Sequence, residues 1–148
     1  MPAAVAGGRA AAHPARRVGD ARRCMNAKVL VVDDDDTIRR AMATSLTRAG
    51  FSVTTADDGA PAIELAEQFE VVVVDYNMKT VTGAEVVRHY KQRYGARIFC
   101  VVLSGDDDEE TRSTCYAAGA DEVIAKPASV ADLRRRLSAA VQMLRDAA

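Results

Sequence analysis

The chain has 148 residues, the length of one ordinary domain, and 49% hydrophobic against 28% charged residues is enough to fill a core under a normal charged surface. Aromatics make up 5% and Trp is absent, so the core must fall to Val, Leu, Ile and Ala. The net charge of -1 divides unevenly: residues 1–26 hold five Arg against one Asp, a balance of +4, and the remaining 15 Lys+Arg against 20 Asp+Glu leave −5, which excludes a basic surface of the size duplex DNA demands.

Residues 1–26 are mostly Ala, Arg, Gly and Pro without apolar periodicity, and are expected to form a disordered extension ahead of a folded unit at 27–148. Arg9, His13, Arg16 and Arg17 interrupt any stretch that could serve as a secretory signal; the Arg-rich, acid-poor start also fits an organellar transit peptide, and a start at Met25 is a further expectation. From Lys28 onward short apolar runs alternate with helical patterns. Val29-Leu30-Val31-Val32 opens as a strand, and a helical face follows at Ile38, Ala41, Met42, Ser45, Leu46 and Ala49, stopped by Gly50. Phe51–Thr55 is β-branched and reads as a second strand. Asp58-Gly59 and Pro61 open a second helix, with apolar positions at Ala62, Ile63, Leu65, Ala66 and Phe69.

Val71–Val74 is apolar without alternation, as in a strand covered on both faces. A third helix runs from about Ala84 through Val86, Val87, Tyr90 and Tyr94, and Ile98–Leu103 is another unbroken strand. A fourth helix over roughly 107–118 ends at Gly119, Val123–Ala125 is a short fifth strand, and a last helix carries Val130, Leu133, Leu137, Val141 and Leu144. Five βα units in succession imply an α/β fold, a doubly wound parallel five-stranded sheet with helices on both faces. Ligands in such folds bind outside the carboxyl ends of the strands.

What stands at those ends is chemically specific. The first strand runs into Asp33-Asp34-Asp35-Asp36, the third into Asp75, the fourth into Ser104-Gly105 and the fifth into Lys126-Pro127. Carboxylates held this close repel and call for a cation, and an all-oxygen set favours a hard ion such as Mg²⁺. A metal beside one carboxylate lets it act as a nucleophile toward phosphorus, with an ammonium and a hydroxyl to hold the remaining phosphoryl oxygens. Each residue alone has a plainer explanation: an acidic run solvating a helix start, an Asp closing a turn, a surface Lys, a turn Ser. Those explanations do not account for four strand ends each supplying a member.

Val31-Val32-Asp33-Asp34, Val74-Asp75-Tyr76-Asn77-Met78 with Gly83, Leu103-Ser104-Gly105, Gly119-Ala120-Asp121 and Lys126-Pro127, in that order, resemble the receiver domains of two-component signalling, and most of all the single-domain chemotaxis regulators. The resemblance covers about residues 27–146. It implies the flavodoxin-like strand order 2-1-3-4-5 and a cytoplasmic signalling phosphoacceptor that catalyses only its own phosphoryl transfer. It implies Asp75 as the phosphoacceptor, Mg²⁺ held by Asp33, Asp34, Asp75 and the backbone carbonyl of Asn77, and Ser104 and Lys126 on the phosphoryl group, with a cis bond before Pro127. The implied partners are a histidine kinase or phosphotransfer protein and a downstream protein target, with no nucleic acid and no membrane.

Two positions depart from the family pattern. Lys79 stands where Pro is usual, adding a cation near the site and loosening its loop. Val123 stands where an aromatic is usual, so output is expected through the loops or the fourth helix.

Two rival functions are weighed against this. Asp33–Thr37 also fits the Asp-x-Asp-x-Thr signature of haloacid-dehalogenase-type phosphatases, with Asp33 as nucleophile and Asp35 as general acid; but Asp106-Asp107-Asp108 precedes Lys126, where those enzymes place an acidic pair after it. A receiver-like module that only binds and is never phosphorylated would be expected to lack site residues, and the core set is complete. Cys24, Cys100 and Cys115 form neither a disulfide framework nor a CxxC pair and are expected to be reduced thiols. Arg134-Arg135-Arg136 is read as a solvated helix face, and neither His13 nor His89 is placed as a relay histidine. No apolar run approaches the ~20 residues of a membrane span.

Overall fold

The computed structural model describes residues 26–105 and 108–147. The strands are β1 (Lys28–Val32), β2 (Ser52–Ala56), β3 (Val71–Asp75), β4 (Phe99–Ser104) and β5 (Glu122–Ala125). Between and after them come α1 (Asp36–Arg48), α2 (Gly59–Ile63), α3 (Gly83–Tyr94), α4 (Glu109–Ala118) and α5 (Val130–Ala147), with a 3-10 turn at Gly95–Arg97. All four strand pairings are parallel, and the sheet order is β2-β1-β3-β4-β5. The expected α/β sheet in the order 2-1-3-4-5 is therefore what the chain forms. Most of the proposed extension, with Cys24 and Met25, lies outside the described residues. Asn26 does not: its N–H donates to the Gly50 carbonyl at 2.8 Å, just ahead of β1.

The valine runs lack alternation because the sheet has two dry faces. Successive strand residues point to opposite sides. Leu30, Val32, Val72, Val74, Cys100 and Val102 meet α2, α3 and α4 on one side. Val29, Val31, Val71, Val73, Val101 and Leu103 meet Met42 and Leu46 of α1 and Leu133, Leu137 and Val141 of α5 on the other. Among the described residues, no helix is long and apolar enough to cross a membrane.

The second helix is shorter than its periodicity predicts. It closes at Ile63, not near Phe69. The Tyr90 hydroxyl donates to the Ala62 carbonyl at 2.6 Å, filling an acceptor that a longer helix would offer to its own next turn. Phe69, beyond the helix, is buried edge-on to Tyr90 with ring centroids 6.2 Å apart. Burial pushes the Tyr90 phenol up to about 12, so it stays a donor throughout the working range of pH. The variant Tyr90→Phe keeps the packing and leaves the Ala62 carbonyl only the longer bond from the Leu65 N–H at 3.4 Å, so it is expected to cost about 1 kcal/mol. Urea unfolding measures this, and a loss below ~0.3 kcal/mol would show that the hydroxyl does not hold the end of α2.

Candidate functional site

Asp33 follows β1 and Asp75 ends β3, and the two strands are neighbours in the sheet, with Val32 opposite Val74. The valines that bury the strands thus carry two carboxylates into the protein: Asp33 is 1% exposed and Asp75 6%. Asp34 is exposed above them. One carboxylate oxygen from each of Asp33, Asp34 and Asp75 lies within 4.8 Å of the others. Ser104 is buried at the end of β4, and its carbonyl accepts the Lys126 N–H at 2.9 Å. The Lys126–Pro127 bond is cis. The Lys126 ammonium lies 2.7 Å from Asp75 Oδ1 and 4.0 Å from Asp33 Oδ2. Asn77 is exposed in the loop directly after Asp75. The predicted residues of four strand ends therefore meet at one edge of the sheet.

Burial pushes the Asp33 carboxyl above the ordinary aspartate range, against the Asp35 N–H and Lys126 that favour its charge. Burial does the same to Asp75, opposed by the hydrogen bond from Lys126 and its charge. The Lys126 ammonium loses some of its hold on a proton to desolvation, but the hydrogen bond and charge of Asp75, followed by Asp33 and Asp34, more than restore it. Asp33 Oδ1 accepts the Asp35 N–H at 2.9 Å, whereas Oδ2 is buried with no hydrogen-bond partner among the described residues. A buried carboxylate oxygen without a donor, in a trio of carboxylates, suits a hard divalent cation with oxygen ligands.

The surroundings fix this cluster through contacts that sequence patterns do not display. Asp35 caps α1, its carboxylate accepting the N–H groups of Thr37 and Ile38 at 2.9 and 3.1 Å. That role takes Asp35 away from the general-acid position of the phosphatase reading, whose Asp106 and Asp107 lie outside the described residues. Arg39 donates to the Asp33 carbonyl at 2.8 Å and pairs with Asp36. Gly83 packs against the end of β3 so closely that a Cβ there would sit 2.6 Å from the Asp75 carbonyl oxygen.

The loop after β3 is tied down directly after Lys79. Thr80, the next residue, donates its N–H to Asp58 at 3.1 Å, and its hydroxyl accepts the Ala60 N–H at 2.9 Å. Thr82 and Glu85 then close a capping box on α3. Asp58 beside Gly59 marked a helix start in the sequence, but its bond to a residue 22 positions away had no signal there. Lys79 itself is exposed, and its charge acts on Asp36 at the rim of the site.

A family model for the response regulator receiver domain matches residues 29–138. The chain belongs to the response regulator receiver family. Over 114 residues it is 38% identical to a cyclic di-GMP phosphodiesterase of Thermotoga maritima, covering 77% of this chain and 31% of that protein. It is 34% identical over 117 residues to the response regulator MprA of Mycolicibacterium vanbaalenii, covering 78% of this chain and 50% of that one. The chain thus spans about a third to a half of these relatives. A solved response regulator from Burkholderia pseudomallei, with a phosphorylated aspartic acid, a calcium ion and citrate, superposes with a TM-score of 0.70 at 26% identity, over 82% of this receiver and 72% of that chain. Receivers are signalling phosphoacceptors that interact with kinases or phosphotransfer proteins and with downstream targets.

A carboxyl with a folded-state pKa above its unfolded value adds stability below the unfolded pKa and loses it as pH rises through the folded one. Cation-free receiver should therefore lose stability from about pH 4 toward neutrality as Asp33 and Asp75 ionise. At pH 7 in EDTA, Asp33→Asn is expected to gain about 1 kcal/mol. Mg²⁺ should raise the Tm of the wild type by more than that of the variant. Thermal unfolding by circular dichroism checks both, and an unchanged or lower Tm for Asp33→Asn in EDTA would show that the buried charge carries no such cost.

Proposed function

We propose that this receiver accepts a phosphoryl group on Asp75 from a phosphohistidine of a kinase or phosphotransfer protein, and that the modified domain changes its binding to a downstream protein. The observation that carries this reading is the buried Asp75 carboxylate, 2.7 Å from the Lys126 ammonium and grouped with Asp33 and Asp34. In the transfer an Asp75 carboxylate oxygen forms the bond to phosphorus as the P–N bond of the phosphohistidine breaks, and the imidazole nitrogen keeps the electron pair. Lys126 neutralises a phosphoryl oxygen and Ser104 donates its hydroxyl to another. Asp33, Asp34, Asp75 and the Asn77 backbone carbonyl would hold Mg²⁺, which when bound neutralises charge on the transferring group. The orphaned Asp33 Oδ2 supports that assignment.

Output in this reading passes through α4. Val123 is buried in the core and cannot swing as an aromatic would. Its backbone is instead held from α4: the Val123 N–H donates to the Tyr116 hydroxyl at 3.3 Å, and Arg112 donates to the Val123 carbonyl at 3.4 Å. We take residues 27–148 as the receiver unit and 1–26 as an extension to it. A cytoplasmic location belongs to the same reading, supported by the free thiols Cys100 and Cys115, with Cys100 pushed by burial up to about 12.

Intact-mass spectrometry after incubation with acetyl phosphate tests the central step. One labile phosphoryl adduct is expected in the wild type, dependent on Mg²⁺ and absent from Asp75→Ala. Absence of any adduct on a folded wild-type domain would favour the binding-only alternative, and an adduct on Asp33 would favour the phosphatase.

A further inference from the structure

All the strands point the same way, so each helix runs back against them and starts at the edge where the site lies. The first turns at that edge carry Asp36, Glu85, Glu109, Glu110 and Asp132. The last turns, at the far edge, carry Arg48, Lys91, Arg93 and Arg145. Each choice alone is the ordinary answer to a helix dipole. Parallel topology adds them together, so the domain is acidic at the site edge and basic at the opposite one.

The acidic edge is only partly neutralised by the fold. Lys126 pairs with Asp75 and lies 4.0 Å from Asp33, and Arg39 pairs with Asp36. Asp34, and Asp57 directly after β2, are exposed and make no ion pair among the described residues. Exposed acids by themselves specify nothing. Here they stand over Asp33, which is 1% exposed and whose Oδ2 has no donor among the described residues, so positive charge is called for at this place.

The complementary charge lies in the chain itself. Residues 1–26 balance at +4 against −5 for the rest. They join the domain at its basic edge, where the Asn26 N–H meets the carbonyl of Gly50, two residues past Arg48. From Asn26 to Asp34 the chain climbs along β1 by about 26 Å, at ~3.3 Å per residue. Arg17 lies nine residues before Asn26, a reach of about 30 Å, and Arg16 and Arg9 lie further back. Arg22 and Arg23 lie within four residues of Asn26, a reach of about 14 Å, and fall short of the acidic edge.

We propose that Arg9, Arg16 and Arg17 dock on the acidic site edge, over Asp34 and Asp57, and compete there with the divalent cation. This rests on the reading of Asp33, Asp34 and Asp75 as a cation site, and gives that site a regulator within its own chain. Guanidinium groups suit the role because they pair with carboxylates in two-pronged fashion. The contact is intramolecular, so each pairing needs little affinity of its own.

Isothermal titration of the full chain with Mg²⁺ tests this. At low salt the triple variant Arg9→Gln, Arg16→Gln, Arg17→Gln should bind Mg²⁺ about fivefold more tightly than the wild type, and the gap should close by about 0.5 M KCl. The double variant Arg22→Gln, Arg23→Gln should match the wild type. Amide chemical shifts of the cation-free wild type and triple variant should differ around Asp34, Asp36 and Asp57. Equal Mg²⁺ affinity of wild type and triple variant overturns the proposal. So does an equal gain in the double variant, which would mean a general effect of net charge. A gap that grows with protein concentration would assign the contact to a second copy and overturn docking within one chain. Failure of every form to bind Mg²⁺ would overturn the cation-site reading on its own, and the amide shifts would then decide the docking by themselves.

Discussion

Two carboxylates buried side by side are the constraint around which this domain is arranged. Asp33 and Asp75 sit on neighbouring parallel strands, nearly without solvent, with one ammonium among them. Left alone, such a pair would protonate or pull water in. The chain holds it through rigid surroundings: valines on both faces of β1 and β3, Gly83 pressed against the Asp75 carbonyl, Arg39 on the Asp33 carbonyl, and Lys126 reaching across from the end of β5. The stability of the sheet thus maintains a charge arrangement that is unfavourable by itself, and a bound cation would relieve it.

The response proposed for this domain would have a short path outward. Lys126 directly follows β5, and its N–H is bound to Ser104 at the end of β4. Under the proposed function, a rearrangement around the Asp75 carboxylate would reach both strands at once. On the outer side of β5, the backbone of Val123 is gripped by Tyr116 and Arg112, which also lie against each other with the guanidinium 5.8 Å from the ring centre. A valine has no rotamer change to offer, but two long polar side chains bound to its main chain can follow a small strand displacement. That links the interior of this receiver to the surface of α4.

The strands were legible because burial on both faces leaves an unmistakable mark, the unbroken runs at Val71–Val74 and Ile98–Leu103. The site residues were legible because parallel topology forces the strand ends together, so that residues 33, 75, 104 and 126 are neighbours once five βα units are recognised. Contacts between loops were not legible. The end of α2 depends on Tyr90, 28 residues after Ala62, and the loop at Lys79 is tied by Thr80 to Asp58. Composition along the chain carries no trace of either. The three consecutive arginines of α5 likewise read as one solvated face, yet helical geometry points them in different directions. Arg135 and Arg136 pair with acids, and Arg134 lines a groove.

The grip of α4 on Val123 has a further consequence for how the molecule behaves among copies of itself. A sheet of five strands has two open edges, and an exposed edge is a template on which another chain can add a strand. On the β5 side, the outward N–H and carbonyl of Val123 are already occupied by a phenol and a guanidinium. An incoming strand would have to displace both before it could form its first rung at that residue. Edge-to-edge aggregation is thereby discouraged along a strand only four residues long. The same two side chains that tie the strand to α4 also protect it as a border.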